Sequence, residues 1–523
     1  MGRLVTLATR YPRLGALLLG AGAACGFQPL GLWPLTLLGV AGLLALVRRA
    51  ADGRQAGWTG WAFGVGHFTV GNFWIATAFT YQAAMPGWLG VIAVVLLSLY
   101  LAVYPALGAL AGWLTGRRSL TAFTLAFAGC WTISEWLRSW VFTGFAWNPL
   151  GVAALGPFER PGLAGLAPYL GTYALSALVV LLAACWWIAV VRARADWRGL
   201  ALAVVPVAAL LVPFGAGPSP LATGRHFTLV QPYIPQDELN DYRMYEANYQ
   251  RLARLSPARP GQGQRLLLWP ESGVPDYLRE GYPDRYYLDN YGADPVLARQ
   301  RLGRLAGPGT LLLSGTSDLE VRNGKAVGAR NSVTALDATG TIRASYAKAH
   351  LVPYGEYLPM REILTPLGLS RLVPGALDFW PGPGPRTLDL GGWGRVGVQV
   401  CYEIIFSGQV VDRDNRPDFL FNPSNDGWFG AWGPPQHLAQ ARLRAIEEGL
   451  PVLRATTTGI SAVIAADGTV LHHVPHQTAG RIDAALPAAA APTPFARLGN
   501  GLALGWAAVL LVLALVASRR RAG

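Results

Sequence analysis

Along the N-terminal part of the chain, apolar residues do not alternate with polar ones but run in long blocks. Residues 14–47, 56–116 and 161–191 contain no Asp, Glu, Lys or Arg. A surface facing water carries roughly 25–35% charged residues, so blocks of this kind belong in lipid. A helix needs about 20 apolar residues to cross the hydrocarbon core. Pro, Gly and turn signals divide the blocks into seven spans, at residues 11–27, 29–47, 57–80, 87–115, 120–140, 168–191 and 199–214, and an eighth stands at 500–517. The first is expected to stay uncleaved, because the chain continues at once into a second apolar block; a signal cleaved near the small residues 21–24 is the alternative.

Between the seventh and eighth spans the pattern changes to short β-type runs punctuated by Gly, Pro, Asp and Asn, at residues 226–231, 265–269, 310–315, 331–336, 395–400, 418–421 and 459–465. Helical stretches lie between them at 241–255, 295–305 and 435–450, the last opened by proline and stopped at Gly449 to Pro451. Strands interleaved with helices predict an α/β layered domain that presents reactive side chains at strand ends. The Pro- and Gly-rich tract 374–385 reads as a loop. The chain thus divides into a seven-helix membrane part (1–218), an α/β domain (219–498) and a last span with a basic tail (499–523).

Charge orients these parts. With the N-terminus inside, the cytoplasmic segments hold Arg3, Arg10 and Arg13; Arg48, Arg49 and Arg54; Arg117 and Arg118; Arg192, Arg194 and Arg198; and Arg519, Arg520 and Arg521. Only Arg138 and Arg160 fall elsewhere in the membrane part, as the positive-inside bias requires. An even number of spans brings both termini inside and puts the α/β domain outside. That domain holds 27 Lys plus Arg against 26 Asp plus Glu, so the net charge of +13 comes from arginines flanking the membrane, and a nucleic-acid-binding face is excluded.

Of four cysteines, Cys25, Cys130 and Cys185 lie in predicted spans and Cys401 alone lies in the outer domain, where it has no partner for a disulfide. It ends a β-type run, Arg395 to Val400. Taken alone, such a thiol is read equally well as buried and inert or as a nucleophile. Glu271 stands just beyond the apolar run 265–269, and Lys348 is one of only two lysines in a chain that otherwise uses arginine; each has a bland reading as an exposed side chain. His472, His473 and His476 lack the Cys, Asp or Glu partners of a metal centre, and no metal or other cofactor is indicated. Glu135 lies inside the fifth span with Arg138 three residues on, on the same helical face. An interior ion pair is the expected role, with a part in substrate passage as the alternative.

The stretches Trp269-Pro270-Glu271-Ser272, Lys348 to Glu356, Cys401-Tyr402-Glu403, Ser424 to Gly430 and Gln436-His437, taken in order and flanked by eight spans, resemble the nitrilase superfamily, and within it the bacterial apolipoprotein N-acyltransferases. The resemblance implies an α-β-β-α sandwich with Glu271 as base, Lys348 as catalytic lysine and Cys401 as nucleophile. It implies supporting or substrate-positioning roles for Glu356, Glu403, Tyr402, Trp428 and His437. The pattern departs from the family's at Thr456-Thr457-Thr458 and in Gly144-Phe145-Ala146-Trp147, which lacks a proline.

By the same resemblance the reaction passes through a Cys401 thioester. A fatty acyl group moves from a glycerophospholipid, phosphatidylethanolamine, to the α-amine of a diacylglyceryl-cysteine at the N-terminus of an apolipoprotein. The implied setting is a monomer in the bacterial inner membrane with its catalytic domain in the periplasm. Moving a diacyl lipid into water costs about 0.8 kcal/mol per CH₂, which favours a site resting on the membrane. The aromatic pairs Phe379-Trp380 and Trp428-Phe429 are read as an acyl entrance or, equally, as core. A membrane-tethered amidohydrolase or phospholipid acyl hydrolase is the enzymatic alternative; a transporter or scaffold with an inert outer domain is the non-enzymatic one.

Overall fold

A computed structural model describes residues 10–81, 86–192, 198–211, 222–260, 262–367 and 377–519. Arg3, Arg194, Arg520, Arg521, the 218/219 boundary and the first part of the 374–385 tract lie outside the described residues. The N-terminal region is helical: α1 (Pro12–Ala24), α2 (Trp33–Arg48), α3 (Gly53–Gly71), α4 (Leu89–Leu101), α5 (Val103–Gly116), α6 (Leu120–Arg138), α7 (Ala167–Arg192) and α8 (Arg198–Leu211). Asp52 and Ser119 cap the starts of α3 and α6 through their side-chain oxygens.

Every expected span is helical, but among the described residues three stretches, not eight, are long and apolar enough by themselves to cross a membrane. These are Leu89–Gly116, Leu163–Arg192 and a C-terminal helix, Asn500–Arg519. The others fall short for visible reasons. At 1.5 Å per residue the 13 residues of α1 span only about 20 Å. The longer α3 and α6 carry Gln55 and His67, and Ser134, Glu135 and Arg138, among their apolar residues. The helices turn large apolar side chains outward, Leu18 at 61% exposure and Leu96 at 60%, with Trp88 and Trp140 also exposed near helix ends. That pattern suits a lipid surround and not water.

Glu135 and Arg138 correct the sequence-based expectation, because they do not form an ion pair with each other among the described residues. Glu135 Oε1 accepts from Trp131 Nε1 at 3.0 Å and from the Leu150 N–H at 2.9 Å, and its Oε2 takes no hydrogen bond. Arg138 Nη1 donates to the Phe145 and Trp147 carbonyls, each at 2.8 Å.

The α/β domain contains twelve described strands: β1 (Ala222–Gln231), β2 (Arg265–Leu268), β3 (Thr310–Arg322), β4 (Lys325–Leu336), β5 (Ile342–Ala347), β6 (Thr387–Asp389), β7 (Arg395–Val398), β8 (Phe419–Ser424), β9 (Val452–Thr456), β10 (Ser461–Ile464), β11 (Val470–Val474) and β12 (Gly480–Pro487). They form two six-stranded sheets, ordered β12-β1-β2-β3-β4-β5 and β11-β10-β9-β8-β7-β6, each parallel at its centre and antiparallel towards its edges. Phe227, Leu266 and Leu313 of one sheet pack against Val398, Phe421 and Leu453 of the other. On the far side of the first sheet Leu267 and Leu312 meet α9 (Tyr245–Leu255) and α10 (Pro295–Ala306) through Leu252, Ala298 and Leu302. On the far side of the second, Leu420, Val452 and Ile464 meet α11 (Gly433–Glu448) through Leu438, Ala441 and Ala445. The order is therefore helix, sheet, sheet, helix, with both faces of the central strands covered, which explains their near-continuous apolar runs.

Helix α11 also joins the two parts. Its opposite face, Ala439, Leu443 and Ile446, is buried against the helical region beside Leu150 and Leu163. The backbone of α7 leaves helical geometry at Gly171 (φ 69°), and the neighbouring Thr172 N–H donates to Glu447 Oε1 of α11 at 2.6 Å. Arg444 holds the other Glu447 oxygen at 2.7 Å. A helix predicted from its proline start and glycine stop is thus the plate on which the sandwich rests against the membrane part.

Candidate active site

The ends of β2, β5 and β7 deliver the three residues singled out from sequence to one buried place: Glu271, Lys348 and Cys401 are 6%, 1% and 5% exposed. Glu271 follows β2, and the chain turns sharply after it, with Ser272 at φ 55°. The approach is close enough that a Cβ on Gly315 would lie 2.6 Å from the Glu271 Cα, so β3 needs glycine there. Lys348 leaves β5 with its N–H donating to the Asn331 carbonyl of β4 at 2.8 Å. Cys401 ends the run from β7 in left-handed backbone, φ 51°, an uncommon state for a residue with a side chain and one that sites of chemistry often hold.

Lys348 Nζ sits 2.9 Å from Glu356 Oε2 and 3.8 Å from Glu271 Oε1. Asn331 Nδ2 bridges the same two carboxylates, at 2.7 Å to Glu271 and 2.8 Å to Glu356. The second Glu271 oxygen accepts from the Asn425 N–H at 2.8 Å. Burial lifts the Glu271 carboxyl above the usual carboxylate range; Lys348 opposes this and Glu356 adds to it. For Lys348 burial acts downward, but Glu356 and Glu271 prevail and hold the ammonium above the usual lysine range. Burial, followed by the charge of Glu271, pushes the Cys401 thiol well up, with Lys348 opposing. The resting arrangement is therefore a protonated thiol beside a carboxyl of raised proton affinity and a fixed positive charge.

Glu403 is a strut. Its Oε1 accepts from Tyr346 Oη at 2.8 Å and from the N–H groups of Ala349 and His350, and its Oε2 from the Val400 N–H at 2.7 Å. It ties the segment after Lys348 to the residue before Cys401, while burial pushes its carboxyl up to about 7. Tyr402 Oη donates to the Gly144 carbonyl at 3.3 Å. Trp428 stands at the rim, half-buried, edge-on to Tyr81 of the membrane part at 5.8 Å. Phe429 packs against Trp74 and Trp147, and Trp380 lies under Arg322.

His437 approaches Cys401 from α11. Potential ligand atoms of Cys401, Asp426 and His437 all lie within 4.8 Å of one another. The wider set argues against a cation, because Arg454 Nη2 already reaches both Asp426 oxygens, at 2.9 and 2.7 Å, and His437 Nδ1 at 3.0 Å. It also argues against His437 as the thiol's base. With Nδ1 beside the arginine donor, the neutral ring carries its proton on Nε2 and donates it to the Cys401 carbonyl at 3.1 Å. Burial and Arg454 both lower the His437 pKa and keep the ring neutral. Despite burial, the Arg454 guanidinium holds Asp426 down to about 2. This buried set clasps the backbone of Cys401 through its carbonyl.

All eight residues picked from sequence meet here or at the rim. Sequence reading missed Asn331, Asp426 and Arg454. An asparagine inside a β-type run and an arginine inside Val452-Leu453-Arg454-Ala455 were the available signals, since strands disfavour the first and cores the second unless each is paired.

Comparison with known proteins places this geometry in context. A family model described as the apolipoprotein N-acyltransferase N-terminal domain matches residues 19–185, and one described as carbon-nitrogen hydrolase matches residues 229–494. An apolipoprotein N-acyltransferase of Rhodopseudomonas palustris is 35% identical over 527 residues, covering 96% of this chain and 95% of its own. One of Caulobacter vibrioides is 35% identical over 538 residues, covering 97% and 94%. Among solved structures, an amidase from Nesterenkonia sp. is 19% identical, with a TM-score of 0.31 over 52% of this chain and 94% of its own. Saccharomyces cerevisiae Nit3, of the nitrilase superfamily, is 19% identical, with a TM-score of 0.35 over 50% and 89%.

Proposed function

The chain belongs to the apolipoprotein N-acyltransferase family, and from that membership we propose that Cys401 takes a fatty acyl group from a membrane phospholipid and passes it to the α-amine of a lipidated N-terminal cysteine. In the first half-reaction Glu271 accepts the thiol proton as Sγ attacks the ester carbonyl, and Lys348 stabilises the tetrahedral oxyanion. The oxyanion collapses, the ester C–O bond breaks, and Glu271 returns the proton to the departing lysophospholipid oxygen, leaving a thioester. In the second, the amine attacks the thioester and Glu271 takes a proton from nitrogen. The C–S bond then breaks, and the same proton restores the thiol as the amide leaves. Each half-reaction is balanced in protons, so the chemistry asks for no cofactor.

The observation that carries this reading is the placement of a single buried thiol between a carboxyl of raised proton affinity and a fixed ammonium, at the seam with apolar helices. Phosphatidylethanolamine as donor, a diacylglyceryl-cysteine as acceptor and a monomeric enzyme follow from the family. Labelled phospholipid and a diacylglyceryl peptide, supplied together to the purified protein, test it. N-acyl peptide and lysophospholipid are expected in equal amounts; free fatty acid formed at the same rate with and without peptide would favour a hydrolase.

The same reading extends to topology: eight crossings, both termini in the cytoplasm, residues 219–498 in the periplasm, and domain boundaries at 218/219 and 498/499. The shorter helices cross by packing on the three long ones. In a variant lacking Cys25, Cys130 and Cys185, a cysteine placed at exposed Lys325 is expected to react with an impermeant maleimide in intact spheroplasts. Cysteines placed at exposed Arg49 or Arg118 are expected to react only after permeabilisation. The reverse pattern would reject the orientation.

A further inference from the structure

Two charged side chains near the end of membrane helix α6 are not used by the chemistry, yet they are almost wholly buried, Glu135 at 5% and Arg138 at 2% exposure. Buried charge in a membrane helix is costly and calls for a partner. Here the partner is the backbone of the segment that leaves α6. One nitrogen of Arg138 satisfies the inward carbonyls of Phe145 and Trp147, the Phe145 N–H returns a bond to the Arg138 carbonyl at 2.8 Å, and Glu135 takes the N–H of Leu150. Acceptors and a donor of one short stretch are thus held from one helix face, and without them these polar groups would stand unpaired in a dry interior.

That stretch leads directly to the reacting groups. The Thr143 carbonyl meets His350 Nε2 at 3.0 Å, two residues after Lys348. The Gly144 carbonyl receives Tyr402 Oη, next to Cys401. Trp147 Nε1 donates to Gln436 Oε1 at 2.7 Å, and its ring lies 5.3 Å from that of His437, which holds the Cys401 carbonyl. Four contacts from three residues of one segment therefore bear on the neighbours of Lys348 and Cys401.

We propose that Glu135 and Arg138 are positioning residues for acyl transfer, fixing the 143–150 segment from the membrane helix so that it holds Tyr402, His350 and His437 in register around Cys401 and Lys348. This rests on the reading of Cys401 as the acylated residue. Glu135 acts here as an acceptor, because a single oxygen, Oε1, takes both the Trp131 indole N–H and the Leu150 N–H, and an amide oxygen at the same place keeps both bonds.

Time courses of Cys401 acylation by phospholipid, followed by intact mass on the full-length protein in detergent, separate positioning from folding. Misfolded molecules lower the amplitude, whereas a displaced segment lowers the rate constant at full amplitude. Arg138→Gln and Glu135→Ala are expected to slow acylation about 100-fold, the size of loss that a misplacement near 1 Å brings. Glu135→Gln, which keeps the accepting oxygen, should stay within about threefold of wild type, and Arg138→Lys, which keeps charge and donors on a shorter stem, should fall about tenfold. Arg138→Lys keeps the idea testable should Arg138→Gln fail to fold. Rate constants within about twofold of wild type in Arg138→Lys and Glu135→Ala, with or without lost amplitude, would overturn positioning. A wild-type protein that acquires no acyl group on Cys401 would instead overturn the underlying acyl-transfer reading.

Discussion

Replacing Cys401 with alanine is expected to abolish both half-reactions while leaving the protein folded. In the proposed reaction the thiol sulfur forms and later releases the acyl bond, and losing a nucleophile of this kind lowers turnover by about 10⁶-fold, below detection. Intact mass after exposure to phospholipid should show an acyl adduct on the wild type and none on Cys401→Ala. Serine is expected to fail as well, although it is nearly isosteric, because a hydroxyl holds its proton far more tightly than a thiol and Glu271 is matched to the thiol. The fold should tolerate both changes: the site's backbone is held by Glu403 through Val400 and by His437 at the Cys401 carbonyl, and none of these bonds uses the sulfur. An adduct or N-acyl peptide formed by Cys401→Ala would remove the proposed nucleophile.

Lys348→Met is expected to be damaging in two separable ways. It removes the positive charge opposite the developing oxyanion, worth about 10²–10³ in kcat when one such donor is lost. It also leaves Glu271 and Glu356 facing each other across Asn331 without the Lys348 ammonium between them. Breaking a buried ion pair from one side costs about 3–5 kcal/mol. The pH dependence follows from the direction of the shift. Without Lys348, the Glu271 carboxyl loses the charge that opposes its burial and rises further above its unfolded value, and a raised carboxyl adds stability at low pH that is lost as pH rises through its folded value. The stability deficit of Lys348→Met relative to wild type should therefore be largest near neutrality and narrow as pH falls through the carboxylate range. Chemical denaturation at several pH values measures it; a deficit independent of pH would mean that the two carboxyls are not coupled through Lys348.

These expectations separate Glu271 from His437. Position alone makes His437 an attractive base, being a histidine close to a cysteine. Its hydrogen bonds are already committed, Nε2 donating to a carbonyl on one side and Nδ1 accepting from Arg454 on the other. Proximity is a weaker guide to a base than a free lone pair facing the proton.

Most of the secondary structure was legible from sequence because its signals are local. Apolar runs mark the helices of the membrane part, most to within a few residues although α3 ends at Gly71 rather than near residue 80, and Pro434 with Gly449 brackets α11. The strands that escaped notice, β5, β6, β9, β11 and β12, are edge strands or strands broken in pattern by a buried charge, as β9 is by Arg454. Of the eight expected spans, five are not long and apolar enough by themselves: three because their helices are shorter than their apolar blocks, and α3 and α6 because polar side chains interrupt them. The ion pair expected between Glu135 and Arg138 failed for another reason. Spacing put them on one face, but the loop after the helix offered both charges backbone partners that no periodicity discloses.

By itself, the sequence determined which stretches are apolar, which side the arginines crowd and which residues could carry chemistry, since all of these are properties of residues and their near neighbours. Only the tertiary structure decided that Glu271, Lys348 and Cys401 share one pocket, that Asn331 bridges two carboxylates and that Arg454 disarms His437 as a base. Those facts depend on which strands pair and how α11 seats against the membrane helices, and pairing between residues far apart in the chain is set by packing energy over the whole molecule rather than by any local pattern.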